Sequence, residues 1–410
     1  MADTFNIDFA RQQFPAFQEP SLAGQAFFDN AGGSYACRQV IGRLDQYYRQ
    51  TKLQPYGTHP ASRAAGVAMD SAHDRLAQYL GVTPKEVHLG PSTSQNTYVL
   101  AQAFARHLQA GDEIIVTNQD HEANSGVWRR LASQGVVIKE WPIDPATGQL
   151  HVAALKPLLS ARTQVVAFTH CSNILGQINP VAEICAMAHA VGARTVVDGV
   201  SYAGHGFVDV AELGADIYLF SLYKTFGPHQ GLMVIRQDTA QFLGNQAHYF
   251  NEALIHKWFV PAGPDHAQVA ASAGVADYFD ALYEHHFPAG TPGQKKSKAV
   301  SSLLRSAELP ALKKLLDFCK HDPRVRLLGP ADPIERAATV SLLPQHHPAK
   351  DVAQRLAEQG IIVGASHFYA VRLLQAMGLD PDAGVLRLSF VHYTSGEEME
   401  QLLQALDRVL

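Results

Sequence analysis

Cysteine, long apolar runs and an excess of charge of one sign are all scarce in this chain of 410 residues. Basic residues number 33 against 38 acidic ones, a net charge of -5. Neither a nucleic-acid footprint nor a polybasic membrane patch is expected from that balance. No stretch is apolar for long enough to span a bilayer. The opening MADTFNIDFARQQFPAF mixes charges with apolar residues and lacks the apolar core of a secretory signal, so none is expected. The four cysteines, Cys37, Cys171, Cys185 and Cys319, are scattered without a C-x-x-C. That spacing argues against a disulfide framework or a zinc site and fits reduced thiols in a cytoplasm. His121-Glu122 begins like H-E-x-x-H, but Ser125 stands where the second histidine belongs, and no metal is expected. No G-x-G-x-x-G follows a first strand, which removes a dinucleotide-binding reading.

What remains is an ordinary globular composition, 47% hydrophobic and 17% charged, long enough for two domains. From about residue 65 to 240, helical patterns alternate with apolar runs: EIIVTN, VVIKEW, TQVVAFT, RTVVD, ADIYLFS and GLMVIR. Such alternation predicts βαβ units and a mostly parallel sheet covered on both faces, an α/β fold. In these sheets ligands bind beyond the carboxyl ends of the strands. His121, Asn173, Asp198 and Lys224 follow four of the runs, and Gly90 to Gln95 precedes a helix. Beyond residue 285, FPAGTPGQKKSK reads as an exposed connection. After it, ELPALKKLLDFCKH predicts a helix, IIVGAS a strand, and the remainder an α+β unit with a small antiparallel sheet. The expected division is a large domain over 21–285 and a small one built from 1–20 plus 286–410.

Lys224 sits at the end of a buried strand, where an ammonium loses hydration unless it is paired, neutral or chemically used. A lysine there can form a Schiff base with an aldehyde cofactor. Asp198 ends a second buried run, and a positively charged partner would offset the cost of burying its carboxylate. A protonated pyridine nitrogen is such a partner, and this lysine–carboxylate pair is the usual protein provision for pyridoxal phosphate. Thr93 and Ser94 fit a phosphate site at a helix start, or a simple helix cap. His121 fits a ring-stacking residue or a polar loop. Asn173 fits a partner of the ring hydroxyl or a turn residue.

Taken together, the segments FFDNAGGS, GPSTSQNT, DHEAN, THCSNILGQINP, VVDGVSYAGHG, FSLYKTFGPHQG and GVLRLSFVHYTSGEEMEQLLQAL resemble the class V aminotransferase family of fold-type-I pyridoxal-phosphate enzymes. The likeness is to its cysteine desulfurase-like and selenocysteine lyase-like branch. It implies a large domain with a mostly parallel sheet and a smaller α+β domain. It implies Lys224 as the cofactor-bearing catalytic lysine, Asp198 as the pyridinium partner and His121 as the ring-stacking residue that also faces the substrate. Asn173 is implied at the ring hydroxyl and the substrate. Thr93, Ser94 and Ser221 are implied at the phosphate, and Arg387 as the clamp on the substrate carboxylate, where a planar guanidinium suits a planar carboxylate. A homodimer binding a small amino-acid substrate is implied as well. The stretch WFVPAGPDHAQ is similar to one that reaches the partner's phosphate, but Pro264 stands where a threonine is usual.

The chain departs from the pattern at three places. Tyr223, not histidine, precedes the lysine, and its hydroxyl can still reach a phosphate oxygen. Ser201 replaces the glutamine usual three residues after the aspartate, so the contact near the ring hydroxyl is shortened or changed. Residues 364–387, where a desulfurase carries its persulfide-forming cysteine, contain none. Neither His367 nor Tyr369 can form a persulfide. These features imply C–S or C–Se lyase chemistry without a persulfide cysteine, or alternatively amino-group transfer to a 2-oxo acid. Substrate recognition is expected from loops 34–37, 56–63 and 364–372, with Tyr56, His59, Arg63, His367 and Arg372 as candidates.

Overall fold

The computed structural model describes residues 5–261, 263–290 and 294–410. Thirteen strands occur among them: β1 (Ala26–Phe27), β2 (Val87–Gly90), β3 (Glu113–Thr117), β4 (Val137–Trp141), β5 (Thr163–Thr169), β6 (Arg194–Asp198), β7 (Ile217–Ser221), β8 (Gly231–Ile235), β9 (Val325–Leu328), β10 (Thr339–Pro344), β11 (Ile361–Ile362), β12 (Gly364–Ser366) and β13 (Val385–Ser389). Seven form the central sheet in the order β2-β8-β7-β6-β5-β3-β4. Only β8 runs against its neighbours β2 and β7. The others pair in parallel.

Alternation along these strands fills two cores, one on each face of the sheet. Ile115, Val166, Phe168 and Phe220 point to one, and Ile114, Val116, Val165 and Leu219 to the other. The helix Pro60–Leu80 covers the first face and ends where Gly81, at φ 67°, takes a left-handed turn.

The second sheet, β12-β13-β10-β9, is antiparallel throughout, as expected. Its Leu342 and Leu386 pack with Leu312, Leu316 and Leu406 in a third core. Three details differ from the sequence reading. The helix there runs from Lys296 to His321, so it begins inside the stretch expected to be an exposed connection; residues 291–293 of that stretch lie outside the described residues. The segment IIVGAS is two strands: β11 pairs in parallel with β1, while β12 pairs with β13, the chain changing partner at Val363. Finally, the expected boundary after residue 20 cuts across the packing, because Ala10 and Phe14 lie in the first core while Ala26 and Phe28 lie in the third.

Candidate active site

The parallel strands end on one edge, and a cavity of about 450 Å³ opens there. Thr93, Ser94, His121, Asn173, Asp198, Ser201, Ser221, Tyr223 and Lys224 all line it. The sheet is what gathers them: β5, β6 and β7 are adjacent and parallel, so their exits converge.

Lys224 ends a short 3-10 turn directly after β7. Burial, then the charge of Arg387, lowers its pKa to about 8, so the amine is half neutral near pH 8, where an ordinary lysine would be almost wholly charged. The turn is pinned from a distance. Ser34 donates from its amide (3.0 Å) and its hydroxyl (3.1 Å) to the Tyr223 carbonyl, and the Phe226 amide donates to the same hydroxyl at 2.7 Å. The Tyr223 ring stacks on His229 with centroids 4.7 Å apart. Asp198 ends β6, and one of its oxygens accepts from the Val200 amide at 2.9 Å. Burial raises this carboxyl to about 6, against the pull of that hydrogen bond and of Lys224. His121 accepts at Nδ1 from the Ala123 amide at 3.1 Å, which puts the proton of the neutral ring on Nε2. Burial and the charges of Lys224 and Arg387 hold its pKa down at about 4.

Across the cavity, Ser92 caps the helix Thr93–Ala105, accepting from the Gln95 amide at 3.2 Å. The amides of Thr93 and Ser94 point out of the first turn without a helical partner. Beside them the hydroxyls of Thr93 and Ser221 meet at 2.8 Å. Gly231 lets the loop come this close, because a Cβ there would run into the backbone of Ser92 and Thr93.

Arg387 does not line the cavity; it is 2% exposed on β13 beside it. Its Nη2 donates to Asp29 Oδ1 at 3.0 Å, its Nη1 to the Asn173 carbonyl at 3.3 Å, and its guanidinium lies 3.7 Å from the centre of the Phe368 ring. Its Nε is buried without a partner. His367 is displaced from the expected substrate position: it does not line the cavity, and its Nδ1 accepts from the Tyr369 amide at 3.0 Å. Tyr56, His59 and Arg63 also lie outside the cavity. Residues the sequence reading did not place there include Tyr98, Glu122 and Arg130, while Tyr369 comes from the expected recognition loop 364–372. Arg372 reaches only its rim, pairing with Glu122 at 3.0 Å. The four cysteines are buried, with thiols pushed up to about 12 by that burial.

The family model described as aminotransferase class-V matches residues 26–253 and 304–402. The chain belongs to the class V aminotransferase family. It is 33% identical to the aminotransferase-like protein FGM3 of Gibberella zeae, over the whole of both chains. It is 30% identical to a cysteine desulfurase of Pectobacterium carotovorum, over 99% of this chain and 98% of that one. Its fold matches the cysteine desulfurase of Thermococcus onnurineus with a TM-score of 0.85 at 23% identity, over 100% and 99% of the two chains.

Class V aminotransferases are pyridoxal-phosphate enzymes, and the residues present fit that cofactor. The helix-start amides and paired hydroxyls suit a phosphate. Asp198 keeps its second oxygen open, as a pyridinium partner requires. Asn173 gives its Nδ2 to the Phe368 carbonyl at 2.9 Å, while its Oδ1 is buried without a partner. A buried acceptor of that kind needs a donor, and a ring hydroxyl is one. Gly231→Ala tests the cradle. Overpacking typically costs about 1–3 kcal/mol, so cofactor titration of the apoprotein should show affinity falling roughly ten- to a hundredfold.

Proposed function

We propose that this chain acts at the α-carbon of an amino acid, with cysteine desulfurase-like C–S or C–Se lyase chemistry and no persulfide-forming thiol. The observation that carries this is a cavity holding Lys224, Asp198 and His121 with no cysteine in its lining. When bound, pyridoxal phosphate supplies an electron sink for the charge left at the α-carbon. The residues supply the rest. Lys224, half-neutral near pH 8, holds the cofactor and moves the α-proton. Asp198 stabilises positive charge at the ring nitrogen. His121, kept neutral, would stack on the ring and face the substrate. Thr93, Ser94, Ser221 and Tyr223 would hold the phosphate, and Ser201 and Asn173 the hydroxyl side of the ring. Arg387 and Asn173 orient the substrate carboxylate. His367, set back from the cavity, has no substrate role in this proposal.

The second reading is amino-group transfer, favoured by the likeness to an aminotransferase-like protein along the full chain. A homodimer in the cytoplasm completes the proposal. Buried free thiols support that compartment, and among the described residues no helix is long and apolar enough to cross a membrane.

The test adds L-cysteine, L-selenocysteine and cysteine sulfinate, without a 2-oxo acid, to the holoenzyme. A lyase turns over continuously and accumulates sulfide, selenide or sulfite with pyruvate or alanine. A transaminase stops after one equivalent, with the cofactor converted to pyridoxamine phosphate.

A further inference from the structure

Two consecutive residues that are not glycine, Phe368 (φ 46°) and Tyr369 (φ 58°), hold left-handed backbone between β12 and the helix Val371–Ala376. Each such residue costs on the order of 1–3 kcal/mol and persists only where its surroundings impose it. Here the active site imposes it. Asn173 Nδ2 donates to the Phe368 carbonyl at 2.9 Å, and the Glu122 amide donates to the Tyr369 carbonyl at 2.8 Å. Arg387 sits over the Phe368 ring, and Arg372 holds Glu122 from the far end of the loop. The product of this strain is the position of one side chain. Tyr369 lines the cavity with its ring centroid 5.1 Å from that of His121. It is 66% exposed, so core packing does not account for it. Its hydroxyl makes no hydrogen bond among the described residues.

We propose that Tyr369 is the proton donor to the leaving group, an assignment that rests on the lyase reading above. Lys224 removes the α-proton. As the Cβ–S bond breaks, its electron pair passes to sulfur, and the Tyr369 O–H protonates that sulfur. Water at the exposed face of the ring then restores the phenol. The three-carbon fragment takes up one water and leaves as pyruvate and ammonia, so the products from cysteine are sulfide, pyruvate and ammonia, with no oxidant or reductant consumed. A side chain held at the mouth of the cavity, beside the residue facing the substrate, is placed for a group that departs outward.

The experiment compares wild-type and Tyr369→Phe holoenzyme on two substrates. L-Cysteine expels a sulfur that benefits from a proton, whereas β-chloro-L-alanine expels chloride, which does not. Positioned proton transfer contributes roughly 10²-fold or more, so sulfide release should fall by about that factor in kcat with KM little changed. The loss with β-chloro-L-alanine should be far smaller. Exchange of the α-proton of L-alanine with deuterium from solvent reports Lys224 alone, and the melting temperature confirms an intact fold. Equal losses on both substrates, or no loss on either, overturn the assignment. If the wild type releases neither sulfide nor chloride yet still exchanges the α-proton, the lyase reading itself falls and takes the assignment with it.

Discussion

Lys224→Ala should abolish borohydride-stable attachment of the cofactor and lower turnover on the order of 10⁴-fold, the upper range for loss of a positioned proton-transfer group. The physical basis is the neutrality of the amine. Only the unprotonated form attacks an aldehyde, and burial has brought its pKa from 10.5 to about 8. Capture of pyridoxal phosphate by the apoprotein should therefore speed up as pH rises and level off above about 8. The same shift has a sign in stability. The folded state binds the proton less tightly than the unfolded chain, so apoprotein stability should rise with pH between about 8 and 10.5. Lys224→Met should be more stable than the wild-type apoprotein at neutral pH, the advantage shrinking across that window. Denaturant titrations at several pH values measure it. A capture rate flat from pH 6 to 10 would mean that the amine is not the titrating group.

Arg387→Ala carries the second large effect. Truncating one partner of a buried, hydrogen-bonded charge pair costs about 2–5 kcal/mol, so kcat/KM for the amino acid should fall on the order of 10²–10³-fold, mostly through KM. Arg387→Lys should not restore it, because a point charge cannot replace a planar fork that also stacks on Phe368. Asp29→Ala removes the carboxylate that fixes the plane of the guanidinium but leaves the cation in place. A smaller loss, about tenfold, is expected there, the size of one charge-assisted hydrogen bond. Steady-state kinetics on the three variants separates clamp from support.

The contrast between Lys224 and Tyr369 shows what the sequence could disclose. Lys224, Asp198 and Asn173 are legible because periodicity locates the strands, and parallel strands must deliver their exits to one edge. The spacing of the polar residues after each run then carries the site. For Tyr369 the sequence offers only its place in the loop 364–372, not the direction of its side chain. It enters through a left-handed backbone that neither glycine nor asparagine marks, imposed by residues about 200 and 250 positions earlier in the chain. The Asp29–Arg387 pair is hidden for the same reason, since it joins the N-terminal segment to β13. His367 lies outside the cavity lining, while Tyr369, two residues on and past the left-handed turn, is part of it. The partner change at Val363 is equally silent: both halves of IIVGAS are good strand, and only the packing of two sheets decides where the break falls.

The helix Lys296–His321 contains Pro310. Before it, Val300 and Leu304 belong to the first core; beyond it, Leu312, Leu315 and Leu316 belong to the core beneath the smaller sheet. Proline has no amide hydrogen to give the carbonyl one turn earlier, so the rod that joins the two masses is softest where it passes from one to the other. Arg387 rides with the smaller mass, Lys224 with the larger. A tilt of a few degrees at this joint would therefore widen or narrow the gap between the grip on the substrate and the amine that works on it.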